Sequence, residues 1–267
     1  MIEALSFGFM QNALLAGVLV SIVCGVIGTL VVINRMVFIA GGIAHGAYGG
    51  IGIAFFLGLT PLLGAGAFAL VLAMIIATIT LKNKERIDAV IGALWAFGMA
   101  IGIIFTDLTP GYNVDLMSYL FGSILSVPTT DLWIIGSVDL LVITTSILLY
   151  RQLQAMSFDG EFAALRGVPV TLLYYLLIGL IALCVVATIR VVGLVLVIAL
   201  LTIPPYIAEL FCRRLGSMMA VSSLIACFFS LSGLWLSYQF NITSGAAIIL
   251  IASASFFGIL LARRFMR

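Results

Sequence analysis

Apolar stretches of about 20 residues, enough helix to cross a hydrocarbon core about 30 Å thick, recur along the whole chain. They are separated by short breaks rich in charge, glycine or proline. Reading outward from these breaks predicts spans at 10–33, 37–58, 62–81, 88–106, 129–150, 170–189, 191–211, 217–238 and 244–262. A backbone in lipid must pair its own polar groups, and runs this continuous fit helices rather than the alternating strands of a barrel. The expected fold is all-α, a polytopic transmembrane helical bundle of eight or nine spans forming one domain over residues 1–267. Composition strengthens this reading: 64% of residues are hydrophobic and 8% charged, against about 45–50% and about 25% in soluble domains.

Charge then orients the helices. The basic residues cluster at Arg35; Lys82, Lys84 and Arg86; Arg151 and Arg166; Arg213 and Arg214; and Arg263, Arg264 and Arg267. Lysine and arginine concentrate in cytoplasmic loops. Nine spans with a cytoplasmic C-terminus place the N-terminus outside, and eleven of the twelve basic residues then lie inside, Arg190 being the exception. A net charge of +2 is too balanced and sparse for a nucleic-acid surface. The N-terminal stretch lacks a basic segment ahead of its apolar run, so no cleaved signal peptide is expected. Cys24, Cys184, Cys212 and Cys227 have neither zinc-site spacing nor a disulfide framework and read as small hydrophobes. Residues 107–133 form the longest outer stretch, with a re-entrant or interfacial helix expected near 115–126 between Pro110, Gly111 and Pro128. No internal repeat or linker stands out.

Candidate chemistry is sparse. No phosphate-binding loop can be assembled with only Lys82 and Lys84 present, so any ATP is hydrolysed on another chain and this one is not expected to be an enzyme. His45 is the sole histidine. It lies beside a face made by Gly42, Gly46 and Gly50, whose spacing permits close helix approach. A histidine in the membrane is either a ligand for a borderline metal or a packed, hydrogen-bonded residue. Asp139 sits mid-span without a charge at helical spacing and should face the interior, a cavity or another subunit. Glu209 and Arg213 have the i, i+4 spacing of a helical pair. Asn241-Ile242-Thr243 matches a glycosylation sequon in an expected outer loop, and Trp95, Trp133 and Trp235 read as packing and interfacial anchors. In the loop SFDGEFAALRGVPV, Asp159, Ala163 and Gly167 recur every four residues, as on one face of a short, capped helix at 158–168.

That D-x-x-x-A-x-x-x-G pattern resembles the coupling helix of ABC importers, which fits a cleft on the ATPase. The segment NRMVFIAGGIAHGAYGG resembles the region of metal-ion ABC permeases where an arginine, an aromatic, small residues and a histidine follow the first span. PGYNVDLMSYLFGSIL, residues 110–125, is similar to the family's outer segment, and VVGLVLVIALLTIPPYIAEL to its late pore region with paired prolines. The blocks occur in the family's order, and the likeness runs from about residue 10 to 262. The resemblance implies a type II importer-like permease of a bacterial or archaeal cell membrane. It implies a homodimer or a pseudo-dimer with a close relative, two ATPase subunits, an external metal-binding protein, and alternating access driven by ATP. The cargo implied is a divalent transition metal, zinc first, then manganese or iron, with no resident cofactor. Many relatives carry an Asp four residues before the histidine and a Ser just before it, where this chain has Gly41 and Ala44. Either the metal is held more weakly in transit, with help from Asp107, Asp115 or the opposing subunit, or His45 serves as a gate; Asp139 is a further candidate for the metal path. The competing readings are an ATP-independent secondary transporter or channel and, behind it, an intramembrane enzyme.

Overall fold

The computed structural model describes residues 7–82, 87–110 and 122–265. Among them every regular element is helical: α1 (Gly8–Ile33), α2 (Val37–Phe56), α3 (Pro61–Lys82), α4 (Ile87–Asp107), α5 (Thr129–Leu148), α6 (Tyr150–Phe158), α7 (Gly160–Leu165), α8 (Val170–Val192), α9 (Leu194–Glu209), α10 (Leu215–Phe240) and α11 (Ser244–Phe265), with one 3₁₀ turn at Ile124–Ser126. Eight of these are long and apolar enough to cross a membrane. The stretch expected as a ninth span is the shorter α9, 16 residues with Pro204 and Pro205 inside it. At 1.5 Å per residue it rises about 24 Å, short of the hydrocarbon core. Of the expected re-entrant helix, residues 115–121 lie outside the described part. Residues 122 and 123 have no regular structure, and Ile124–Ser126 form the 3₁₀ turn.

The chain divides into two compact units. One comprises residues 1–32, 117–145 and 187–267; the other, residues 33–116 and 146–186. In the first, small residues let α1 approach its neighbours closely. Gly17, Ser21, Gly25 and Gly28 fall on one side of the helix. A Cβ on Gly25 would meet the backbone of Ser223 in α10, and one on Gly28 would come within 2.6 Å of the Leu201 carbonyl in α9. The hydroxyls of Ser21 and Ser230 are 3.1 Å apart. In lipid such contacts are held by dispersion and interhelical hydrogen bonds, because the surrounding tails are as apolar as the helices. Gly193, at φ +77°, breaks α8 from α9. A Cβ on Gly122 would collide with the backbone there. The Asn12 side-chain amide donates to the Val127 carbonyl at 3.2 Å and ties the outer segment to α1.

In the second unit α2 lies between α3 and α4. A Cβ on Gly50 would strike the Gly64 carbonyl of α3, and one on Gly52 the Gly102 carbonyl of α4. Glycine is needed at these positions because backbone, not side chain, fills the neighbouring space. Two hydroxyl contacts join α3 to α8, Thr78 to Tyr175 at 3.0 Å and Thr80 to Tyr174 at 2.8 Å.

Candidate functional site

The glycine seams of α2 place His45 against α4. Its ring stacks on Trp95, centroids 4.1 Å apart and planes 13° from parallel. Trp95 is itself fixed, its Nε1–H donating to the Met99 sulfur at 2.9 Å, with Phe38 tilted across its ring at 6.3 Å. His45 Nδ1 is buried without a hydrogen-bond partner, although the residue as a whole is half-buried. The tryptophan thus fixes the plane of the imidazole while leaving Nδ1 uncommitted. A neutral imidazole with a free ring nitrogen suits a borderline transition metal.

Gly42, Gly46 and Gly50 all lie against neighbouring helices. Gly42 meets Ile91 of α4, Gly46 meets Leu72 of α3, and Gly50 meets Gly64 of α3. The i, i+4 pattern by itself omits Gly49 and Gly52, which complete the seam with Gly98 and Gly102 of α4. Asp107 ends α4 and is exposed. Asp115 lies outside the described residues. Asp139 belongs to the other unit, in α5, where it is 4% exposed and neither carboxylate oxygen has a partner. Among the described residues no three His, Cys, Asp or Glu come together as a metal site.

Asp159, Ala163 and Gly167 do not share a helical face, because α7 is only Gly160–Leu165. Asp159 is its extended N-cap, accepting from the Phe162 backbone N–H at 2.9 Å. Gly167, at φ +80°, is the left-handed residue after the helix. Its N–H donates to Ala164 O at 3.0 Å and that of Val168 to Ala163 O at 3.0 Å, the paired closure of a Schellman motif. Ala163 faces inward at 2% exposure. The exposed side is carried instead by Phe158, Phe162 and Leu165, at 67%, 54% and 87%. Arg166 lies 5.0 Å from the centre of the Phe162 ring.

Two further expectations change. Glu209 is the last residue of α9 and both it and Arg213 are exposed, so helical i, i+4 pairing is lost where the helix stops. Arg190, the basic residue that broke the charge rule, is in the last turn of α8 and pairs with Asp131 in the first turn of α5 at 3.1 Å. Both residues flank stretches expected on the outer side, and that shared location was the clue available beforehand.

Eight helices long and apolar enough to cross a membrane define a polytopic membrane protein. The model of the ABC 3 transport family matches residues 6–263, and the chain belongs to that family. It is 50% identical to an uncharacterized membrane protein of Synechocystis over 96% of this chain and 91% of that one. It is 35% identical to the manganese transport system membrane protein MntC of Halalkalibacterium halodurans over 95% and 87%. Among solved structures it resembles PsaBC from Streptococcus pneumoniae in complex with Fab, with a TM-score of 0.86 and 35% identity, covering 97% of this chain and 93% of that one.

Proposed function

We propose that this chain is the membrane permease of an ATP-binding cassette importer for a divalent transition-metal ion, with ATP hydrolysed on a separate subunit. The observation that carries this reading is likeness over nearly the full length to a manganese transport system membrane protein. That likeness moves manganese ahead of zinc, which the family resemblance ranks first, with iron third. His45 is the residue of the metal path, its imidazole plane fixed by Trp95 and its Nδ1 free. The ATPase docks on α7, against Phe158, Phe162 and Leu165, while Asp159, Ala163 and Gly167 set the shape of that helix. A second copy of the chain, or a close relative, completes the pathway. An external metal-binding protein delivers the ion. The assembly works by alternating access in a cell membrane, with α7 on the cytoplasmic side.

The test is reconstitution. Co-expressed with a neighbouring ATPase gene, the chain yields a stable complex whose proteoliposomes take up radioactive manganese only with ATP, and Leu165→Glu or Gly167→Arg separates the subunits. Uptake driven by an ion gradient without ATP would overturn this assignment in favour of a secondary transporter. Zinc displacing manganese in competition would overturn the order of metals alone.

A further inference from the structure

In the long helices, every Asp, Glu, His, Lys or Arg except His45 and Asp139 lies within three residues of a helix end. Among the described residues Asp139, unlike His45, has no contact that accounts for its polarity. It is the eleventh of the 20 residues of α5, 4% exposed, with both oxygens unpartnered. Ile135 and Val142, wholly buried, flank it on the same side of the helix. The nearest charge along α5 is Asp131, about 12 Å away at 1.5 Å per residue, and the Arg190 guanidinium is engaged there. The other helices of the same unit supply no cation at this depth. Their remaining charges, Glu209 of α9 and Arg263 and Arg264 of α11, are terminal, and their other titratable groups are the weak acids Cys24, Cys227, Tyr206 and Tyr238.

An ionised carboxylate in such a place would cost many kcal/mol. A divalent metal would neutralise it but needs four or more ligands, and among the described residues Asp139 has no charged or hydrogen-bonding neighbour to begin such a set. A proton needs only one oxygen. We propose that Asp139 is a proton-binding site in the membrane interior, its carboxyl neutral in this conformation and exchanging its proton when the transport cycle opens the surroundings of α5. The exchange follows from the missing hydrogen bond. A permanently neutral acid that served packing would have an acceptor for its O–H, or be replaced without loss by an apolar side chain. An acid buried without a partner is better satisfied in a second state in which it finds one. This step is separate from the metal path, and only its nucleotide dependence rests on the function proposed above.

Hydrophobic carbodiimides test it directly. The O–H of a protonated carboxyl adds across one C=N bond, oxygen bonding to carbon and the proton passing to nitrogen, and an acyl shift then leaves a stable N-acylurea on the side chain. The chain with its ATPase, in lipid nanodiscs without added metal, is treated with dicyclohexylcarbodiimide in the nucleotide-free state and after trapping with ATP and vanadate. Peptide mass mapping should find Asp139 modified in one state and severalfold less in the other. Asp139→Glu should retain the modification and Asp139→Asn lose it. An unmodified Asp139 in both states overturns the proton site, and equal modification in both overturns the exchange. Mapping of the unsubstituted chain decides the matter even where a variant fails to fold, and the outcome is independent of whether manganese or another ion is carried.

Discussion

Helices α2 and α5 are each 20 residues long and each carries one ionisable residue near its middle, yet they hold it in opposite ways. Around His45 the helix is thinned by glycines until backbone touches backbone, and the half-buried imidazole stacks on a tryptophan with its Nδ1 buried and unpartnered. Around Asp139 much of the helix surface is open, with Leu140 and Ile147 both 69% exposed, and only a narrow line through Asp131, Ile135, Asp139, Val142 and Ser146 is buried. A polar group can therefore persist in a membrane protein with a ring partner, or by seclusion alone. The first arrangement suits a ligand for a passing ion; the second suits the smallest ligand, a proton.

The contrast breaks most sharply at the glycines. Gly52→Val should abolish folded protein, measured as loss of the monodisperse peak in fluorescence-detected size exclusion, because the added carbons meet the Gly102 carbonyl and backbone cannot yield as a side chain can. Gly136→Ala on α5, with nothing within 4 Å of the new carbon, should leave that peak unchanged. A smaller effect is expected at the imidazole. His45→Ala should keep the fold and lower metal uptake by at least about tenfold, with Trp95→Leu falling between it and the unsubstituted chain, as for groups that orient a ligand. Equal uptake by His45→Ala and the unsubstituted chain would remove His45 from the path.

The pair at the end of α5 is asymmetric, and substitution should show it. Arg190→Ala leaves a buried carboxylate without its donor and should cost about 1–3 kcal/mol, whereas Asp131→Asn leaves a half-exposed arginine to solvent and should cost below about 1 kcal/mol. Thermal unfolding in detergent distinguishes the two, and equal shifts would mean that the carboxylate is not secluded. The smallest effect is at the cap. Asp159→Ala should lower local stability by about 1 kcal/mol, seen as faster amide exchange in α7, while Asp159→Asn should restore it.

Sequence by itself determined the class of the molecule, because the length and continuity of apolar runs are fixed by the thickness of a bilayer and need no tertiary contact to be read. It placed the eight span-length helices to within a few residues. It also singled out His45 and Asp139, since ionisable residues in mid-span are costly wherever they point. What it could not determine were relations that depend on direction. That α9 stops at Glu209 and cannot pair it with Arg213, that Asp159 and Gly167 bound a helix too short to carry them on one face, and that Arg190 finds Asp131 are matters of where the chain turns. The Trp95 ring over His45 and the full seclusion of Asp139 were likewise decided by tertiary packing. A linear pattern records how far apart residues lie along a helix, but only the meeting of helices fixes which groups share the space between them.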